Sequence, residues 1–351
     1  MRYDCHKLKR FVADVMETCG VTKEDAVCFA DSLVNANMRG INSHGVTRLK
    51  TYYRRMKDGL VKANASPIVL KDMPSFLIID ADNGLGVPVT TWAMKQCIDR
   101  AKTTGACFAA IKGGNHFGYA GYFCELANAE GMIGISMTNG PGMVVPFGGK
   151  VGRLGTNPVA VSVPRVGEPP VMVDMATSVV ARGKVALAKK EGRSIPLGWS
   201  MDAEGQETTD PSRAKYMMPL GGYKGYALSV MIEILVSCIA GAKTSMTLGE
   251  FYDLSGKTHQ ELGYFIGAIN LKDAVDLVAF TQRVDALVQD LKSCPRADGY
   301  EEIFVPEEIE YRNAAKAEAE GIEISDAVIA ELSEVGRESG ISFDCEKKAQ
   351  G

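Results

Sequence analysis

The two ends of the chain carry apolar residues at the spacing of amphipathic helices. Residues 5–19 predict one helix, with an apolar face made by Leu8, Phe11, Val12 and Val15. A second helix is predicted to begin at Thr22, which precedes an acidic first turn as in a capping box, and to end before Gly40. Ser325 is predicted to cap a last helix over residues 326–339. Helices are therefore predicted at both ends of the chain.

The middle of the chain alternates short apolar runs with longer helical patterns. Such runs, bounded by glycine, proline or asparagine, predict strands at residues 76–80, 107–111, 132–137, 159–163, 171–177 and 261–269. Helices are predicted at residues 89–101, 123–129, 178–189, 227–239 and 274–291, and again from about Glu307. The helix at 227–239 is apolar nearly all round, which predicts that it is buried. The alternation predicts an α/β fold.

The first of these strands is followed by a glycine turn, Asp82-Asn83-Gly84-Leu85-Gly86. It resembles the opening of a dinucleotide-binding fingerprint, but Val89 stands where the third glycine is required. We therefore predict a strand-turn-helix corner here and no Rossmann fold.

Composition and charge narrow the class of protein. The 351 residues include 46% hydrophobic and 23% charged residues, with a net charge of -4; this is typical of a globular protein without general affinity for nucleic acid or anionic membranes. No apolar run approaches the roughly 20 residues of a membrane span. The first residues lack a signal-peptide core, and the nine cysteines form no Cys-x-x-Cys pair. We expect a cytoplasmic protein without disulfides or a metal site.

A histidine lies in a glycine-dense loop at one strand-to-helix corner. His116 follows the predicted strand at 107–111 and precedes the predicted helix at 123–129. Open α/β sheets bind ligands at such corners, and histidine exchanges protons near neutral pH. A surface histidine on a flexible loop is an equally good interpretation of this stretch alone.

A second candidate lies in a helix predicted to begin at Ser43 as N-cap. His44, Arg48 and Tyr52 are spaced four residues apart and would share one face. Arginine binds both oxygens of a carboxylate, and the other two can supply a proton donor. A solvated polar face is the alternative, since four further basic residues surround the row: Lys50, Arg54, Arg55 and Lys57.

Two other residues have several interpretations. Asp174, near the end of the strand at 171–177, could accept hydrogen bonds from a ribose, orient a histidine or cap the helix at 178–189. Lys224, near a helix N-terminus, could bind a phosphate, form a Schiff base or be a surface lysine. The four histidines lack metal-ligand spacing.

Seven motifs, in order over nearly the whole chain, resemble one family. They are SHGVTR at 43–48, GNHFG at 114–118, VPFGG at 145–149, GTNP at 155–158, DMAT at 174–177, KGY at 224–226 and GIEI at 321–324. The family is the malate/L-lactate dehydrogenases of the sulfolactate dehydrogenase-like type, which includes ureidoglycolate dehydrogenase and diketogulonate reductase. Each motif is weak alone, but together they are specific.

The resemblance implies an α/β, non-Rossmann fold: an α/β sandwich with a helical part formed by both chain ends. It implies a mainly helical part over residues 1–75 and 306–351 and an NAD(P)-binding α/β part over residues 76–305. It also implies a homodimer or larger homo-oligomer. In the site, His116 would be the acid/base for the 2-hydroxyl, and Arg48 would bind the substrate carboxylate with His44 and Tyr52 alongside.

The resemblance further implies the residues that contact NAD or NADP. These are Thr138, Asn139, Gly140, Asp174, Met175, Ala176 and Lys224, with Pro306, Glu307 and Glu308. The family usually has glycine where Glu307 stands. A carboxylate there would repel a 2′-phosphate, which favours NAD over NADP.

The resemblance and the candidate residues together predict an NAD(P)-dependent 2-hydroxy acid dehydrogenase, with malate as the favoured substrate. Ureidoglycolate, lactate and a cyclic imino acid are alternatives, and a diacid would need a second cation such as Arg182 or Lys184. A Schiff-base lyase using Lys224 and an inactive binding protein are alternatives from other classes.

Overall fold

A computed structural model describes residues 2–253, 258–272 and 274–346. These ranges contain the α-helices α1 (Cys5–Glu17), α2 (Lys23–Met38), α3 (Leu49–Lys57), α4 (Gly86–Thr104), α5 (Gly121–Asn128), α6 (Arg182–Lys190), α7 (Tyr223–Glu233), α8 (Leu277–Ser293), α9 (Glu308–Glu320) and α10 (Asp326–Ser339). Their strands are β1 (Arg2–Tyr3), β2 (Ile68–Met73), β3 (Phe76–Asp80), β4 (Ala106–Gly114), β5 (Met132–Thr138), β6 (Val159–Arg165), β7 (Glu168–Met175), β8 (Ser200–Met201), β9 (Tyr216–Met217), β10 (Leu262–Asn270) and β11 (Ile322–Glu323). No helix in these ranges is both long and apolar enough to span a bilayer.

Seven strands form the central sheet, in the order β2-β3-β4-β10-β5-β6-β7. Strands β3 and β4 are parallel, with Ile78 opposite Ala110. The other neighbouring pairs of this sheet are antiparallel. Because a Rossmann sheet is mostly parallel, the prediction of a non-Rossmann α/β fold is confirmed.

Helices cover the two faces of the sheet because its strands alternate their side chains. On one face, α4 packs against β4 and β10, and α5 packs against β5 and β6. The fit to α5 is close: a Cβ on Gly134 of β5 would lie 2.5 Å from the Cα of Cys124. On the other face, Ile232 and Val236 form a small cluster that includes Phe265 of β10.

The two ends of the chain meet. Strand β1 pairs with β11, with Tyr3 opposite Ile322, and α2 packs against both α4 and α9. One continuous apolar cluster joins these terminal helices to the first face of the sheet. Strand β2 also belongs to the sheet, although residues 68–73 fall within the part predicted to be mainly helical. The division into residues 1–75 plus 306–351 and residues 76–305 stays a prediction.

The helix starts predicted at Ser43 and at residue 178 differ in the structure, and the cap predicted at Ser325 is not formed. Ser43 is not an N-cap: 3-10 turns occupy Asn42–His44 and Val46–Arg48, and α3 begins only at Leu49. The turn is tight because a Cβ on Gly45 would lie 2.1 Å from the Asn37 side-chain oxygen, which accepts the Val46 N–H at 2.8 Å. Helix α6 begins at Arg182 and not at residue 178. Ser325 does precede α10, but its side chain makes no capping hydrogen bond.

The apolar helix predicted at 227–239 is not buried all round. It consists of α7 and a π-helical continuation at Ile234–Cys238. Ser229 and Ile232 face inward, whereas Met231 is 55% exposed and Ile234 is 43% exposed. The prediction of a buried helix is therefore wrong for one side, where apolar side chains are exposed in the single chain. Exposed apolar patches of this kind commonly mark protein interfaces.

Candidate active site

A cavity of about 620 Å³ brings together segments that are far apart in the sequence. Its size falls within the roughly 300–1,000 Å³ of small-molecule sites. Seven residues predicted to form the site line it: His44, Arg48, His116, Asp174, Met175, Ala176 and Glu307. Arg182, a predicted second cation, lines it as well, whereas Lys184 does not.

His116 is held by hydrogen bonds at its ring and its backbone. The loop between β4 and α5 consists of the six residues 115–120. The Tyr52 hydroxyl lies 2.5 Å from His116 Nδ1 and 3.2 Å from the His116 carbonyl oxygen. Gln260 accepts the His116 backbone N–H at 2.9 Å. Since Nδ1 is engaged and Nε2 contacts no hydrogen-bonding group in the described chain, Nε2 is the nitrogen available to a ligand.

The glycine turn that resembles a dinucleotide fingerprint supports this histidine loop. The Asn115 side-chain amide donates to the Gly84 carbonyl at 2.9 Å. A Cβ on Gly86 would lie 2.3 Å from the Asn115 carbonyl oxygen and 2.5 Å from that of His116. The glycine at 86 is therefore required for close packing of backbone against backbone.

Aromatic rings enclose the His116 imidazole. The His44 ring stacks on it with centroids 5.6 Å apart and 15° between planes. The Phe251 ring lies on it at 4.7 Å. Tyr52 is buried beneath it and packs edge-on against Phe29 at 4.8 Å and Phe251 at 5.0 Å. Tyr52 therefore contacts the cavity through His116 and does not line it.

Arg48 presents a guanidinium without a carboxylate partner among the described residues. Its Nε donates to the Ser43 carbonyl at 2.6 Å. Its Cζ lies 5.0 Å from the Tyr252 ring centroid and 5.8 Å from that of Phe251, within cation–π range. These contacts fix the head group while its terminal nitrogens stay free for the bidentate binding of a carboxylate.

The pKa values of both histidines are lowered. Burial and the Arg48 cation lower the pKa of His44 to about 4. Burial, then His44 and Arg48, lower the pKa of His116 well below its ordinary 6.5. Both rings are therefore neutral at pH 7, as a general base must be. A carboxylate bound to Arg48 would offset the repulsion between the Arg48 cation and a protonated His116, and would therefore raise the pKa of His116.

The structure supports only some of the roles predicted for Asp174. Its Oδ2 accepts the Gly121 N–H at 2.7 Å, at the start of α5. It thus caps α5 and not the helix that follows it in sequence, and no hydrogen bond joins it to a histidine in the described chain. Burial raises its pKa to about 6 against the opposing effect of that N–H. It also lines the cavity, where a ribose contact stays open.

Glu307 has a backbone conformation that favours glycine. Its φ is 69°, and a side chain in this region is strained. Its Oε2 accepts from the buried Arg39 at 3.1 Å. Burial, then Glu310 and Asp174, raise its pKa to about 7 despite Arg39. Three acids therefore lie close together along one side of the cavity, since Glu310 lines it too.

The remaining predicted cofactor contacts do not line the cavity. Asn139 is 2% exposed, and its amide nitrogen donates to Ser237 at 2.9 Å. Thr138 donates to the Gly263 carbonyl at 2.9 Å. Their backbone leads through Gly140 to Pro141, which does line the cavity. The side chains of Thr138 and Asn139 therefore do not face the cavity but support the backbone that leads to its wall.

The other three predicted cofactor contacts lie elsewhere. Lys224 is exposed at the start of α7 and does not line the cavity. Pro306 and Glu308 line a separate groove of about 400 Å³, where Glu308 pairs with Lys292 at 2.6 Å. The predicted contact of these three residues with a cofactor stays a prediction.

The sequence analysis missed the segment that covers the histidine. Phe251 and Tyr252 line the cavity, and Gln260 holds the His116 backbone. They lie in a stretch without helix or strand in the described chain. Such a stretch has no hydrophobic periodicity from which these residues could be predicted. Within the described ranges, no group of three His, Cys, Asp or Glu side chains is arranged to bind a metal ion.

Comparison with known proteins agrees with this architecture. Residues 3–333 match the family described as Malate/L-lactate dehydrogenase. Malate dehydrogenase of Pyrococcus horikoshii is 35% identical over 95% of this chain and 94% of its own. Ureidoglycolate dehydrogenase (NAD(+)) of Escherichia coli K12 is 32% identical over 93% and 94%. The solved sulfolactate dehydrogenase of Methanocaldococcus jannaschii superposes with a TM-score of 0.90 at 36% identity, covering 97% of this chain and 98% of that one.

The fold, the histidine-arginine site and these similarities define a hydroxy acid oxidoreductase. More narrowly, the chain belongs to the malate/L-lactate dehydrogenase family. The sandwich fold implied by its seven motifs is confirmed by the superposition.

Proposed function

We propose that this protein interconverts a 2-hydroxy acid and a 2-oxo acid with NAD, and that malate and oxaloacetate are its substrates. The observation that carries this proposal is the pairing, in one cavity, of a free guanidinium with a neutral histidine. Arg48 and His116 share the cavity wall, and the Phe251 ring contacts both.

The substrate carboxylate binds Arg48. The fork of the guanidinium fixes both carboxylate oxygens, which sets the orientation of C2 and its hydroxyl. Correct orientation is a large part of catalysis for a reaction between two bound molecules. His44, stacked on His116 and bonded through Nδ1 to Ser43 at 3.0 Å, borders the same carboxylate.

His116 takes the hydroxyl proton at Nε2 in oxidation and returns it in reduction. As a base it needs Nδ1 protonated and Nε2 free. The Tyr52 hydroxyl supports this tautomer, since it can accept Nδ1–H at 2.5 Å and donate to the His116 carbonyl at 3.2 Å. The Gly118 N–H, 3.3 Å from Nδ1, favours the other tautomer. We assign the Nδ1-protonated form because the contact with Tyr52 is the shorter of the two.

The cavity also fits a nicotinamide dinucleotide. Apolar residues such as Met143, Pro158 and Met175 line it beside the polar groups, as in cofactor sites generally. When bound, the nicotinamide supplies the hydride acceptor in oxidation and the hydride donor in reduction. Asp174 and Glu307 would accept hydrogen bonds from ribose hydroxyls. In their ionised forms, which dominate above pH 7, they would repel a 2′-phosphate. This favours NAD over NADP.

A diacid requires a second cation. Arg182 lines the cavity at the first turn of α6 and would bind the second carboxylate of malate. Lactate lacks that carboxylate, and ureidoglycolate or a cyclic imino acid would present other groups there. These three remain the alternative substrates within the same family.

A Schiff-base lyase based on Lys224 has less support. Lys224 is exposed and does not line the cavity, whereas an imine-forming lysine works in an apolar, desolvated pocket. Borohydride reduction in the presence of oxaloacetate would trap an adduct on Lys224 in a lyase and none in a dehydrogenase.

The protein is further proposed to be a homodimer in the cytoplasm. The exposed apolar side of α7, with Met231 and Ile234, supports an interface between two copies. Sedimentation of the purified protein measures the assembly, and cell fractionation measures the location.

Substitution of Arg182 tests the substrate assignment. Arg182→Ala is expected to raise KM for oxaloacetate about tenfold or more and to leave KM for pyruvate unchanged. Lys184→Ala is the matched control, because it removes a cation of the same helix that does not line the cavity. Equal effects of Arg182→Ala on both acids would contradict the diacid assignment.

A further inference from the structure

Arg55 holds two segments of chain that converge on His116. It lies in α3, one turn after Tyr52, and is fully buried. Its Nη1 donates to the carbonyls of Glu250 at 3.2 Å, Phe251 at 3.4 Å and Asp253 at 3.1 Å. Its Nη2 donates to the carbonyl of Thr258 at 3.3 Å. We call residues 250–253 the first limb and residues 258–260 the second limb.

Each limb contacts the proposed acid/base. The first limb carries Phe251, whose ring lies 4.7 Å from the His116 ring and 5.8 Å from the Arg48 Cζ. The second limb carries Gln260, which is 1% exposed and accepts the His116 N–H at 2.9 Å. The imidazole is thus held at its face by one limb and at its backbone by the other.

Neither limb has a helix or strand to fix it. A loop without such support owes its conformation to specific contacts. The planar guanidinium of arginine directs several donors at fixed angles, whereas a lysine ammonium is a single point. Arg55 therefore supplies one rigid contact that ties both limbs together.

We propose that Arg55 is a positioning residue for catalysis: through the two limbs it fixes Phe251 and Gln260, and through them the placement of His116 and Arg48. It does not line the cavity, so it would touch neither substrate nor cofactor. The geometric part of this inference stands on the contacts above, and its consequence for turnover rests on the proposed function.

The expected consequence of loosening the limbs is hydration of His116. Phe251 shields the ring, and burial is the largest cause of its lowered pKa. Among the described residues, the titratable groups that act on His116 are His44, Arg48 and Tyr52, and Glu250 of the first limb lines the same cavity. All of these are retained when Arg55 is replaced by lysine, and the charge at position 55 is retained as well. A rise of the His116 pKa in that variant would therefore report lost shielding.

The test is the pH titration of His116 by NMR in Arg55→Lys. With four histidines in the chain, the ring signals can be assigned by His116→Gln. Arg54→Lys is the matched control: Arg54 is the neighbour of Arg55 on α3 but pairs with Glu334 at 2.9 Å. We expect the His116 midpoint to move upward toward 6.5 in Arg55→Lys and to stay unchanged in Arg54→Lys. An unchanged midpoint in folded Arg55→Lys overturns the proposal.

Kinetics give the second readout. In Arg55→Lys, kcat/KM for the 2-oxo acid is expected to fall about 10- to 100-fold, as small misplacements of catalytic groups do, while NADH affinity measured by fluorescence stays the same. If Arg55→Lys fails to fold, Phe251→Leu replaces it, with the same expected shift of the His116 midpoint; no shift there also overturns the proposal. If the unaltered enzyme shows no turnover, the proposed function fails, and the NMR titration still decides the role of Arg55.

Discussion

Replacing Tyr52 by phenylalanine removes one oxygen from the centre of the site. The Tyr52 ring is packed between Phe29 and Phe251, so phenylalanine fits the same space. The change deletes the hydroxyl that lies 2.5 Å from His116 Nδ1. The catalytic tautomer then carries an Nδ1–H without an acceptor, since the adjacent Gly118 N–H is itself a donor.

The size of the effect follows from the cost of an unsatisfied buried donor. That cost is about 1–3 kcal/mol, and about 1.4 kcal/mol corresponds to tenfold in rate. We therefore expect kcat to fall about 5- to 150-fold. The loss in kcat/KM should be the same in both directions, because a substitution in a catalyst leaves the reaction's equilibrium constant unchanged.

Steady-state nicotinamide absorbance measures this loss, with NADH fluorescence as the measure of cofactor affinity. Tyr53→Phe is the matched control, because Tyr53 is the next residue of α3 and its hydroxyl lies toward Cys19 and Glu338, away from the cavity. Cofactor affinity should be unchanged in both variants. A kcat for Tyr52→Phe within twofold of the unaltered enzyme would refute the role assigned to the hydroxyl.

Four further predictions concern the same cavity. His116→Ala should lower kcat by about 10²- to 10⁴-fold, the usual range of acid–base catalysis, with NADH binding retained by fluorescence; normal turnover would exclude it as the acid/base. Arg48→Lys should raise KM for the 2-oxo acid about tenfold or more, because lysine lacks the bidentate fork, and an unchanged KM in steady-state assays would argue against carboxylate binding there. Glu307→Gly should remove a strained φ and a repelling charge, so kcat/KM with NADPH relative to NADH should rise about tenfold; an unchanged ratio would separate Glu307 from cofactor choice. Since the lowered pKa of His116 leaves it neutral above pH 6.5, kcat/KM for reduction should fall as pH rises through the neutral range, whereas kcat/KM for oxidation should stay flat there; the opposite order in a pH series would reverse the assigned protonation states.

Local sequence patterns predicted the structure correctly where a helix or strand depends mainly on its own residues. Helix α2 begins where Thr22 accepts the Asp25 N–H at 3.2 Å, as its capping signal predicted. The strand before His116 was predicted because a short apolar run between turn residues is typical of a buried strand. The three residues His44, Arg48 and His116 were placed in one site by the motifs, and they do share a cavity.

Patterns failed where distant contacts decide the outcome. The stretch at Ser43 reads as a helix start, but Asn37 fills the space beside Gly45 and accepts the Val46 N–H, which produces 3-10 turns. Arg55 resembles one of the solvated basic residues around the row of His44, Arg48 and Tyr52, yet it is buried against carbonyls about 200 residues away in the chain. Its partners are backbone atoms, which carry no signal in a sequence.

The most direct test of the account is nicotinamide turnover by the unaltered protein with a panel of 2-oxo acids. NADH and NADPH are offered in turn with oxaloacetate, pyruvate and a cyclic imino acid, and ureidoglycolate is offered with NAD. The account predicts rapid oxidation of NADH with oxaloacetate and slower reaction with pyruvate or with NADPH. Failure of both cofactors to bind, or to react with any acid of the panel, would contradict it.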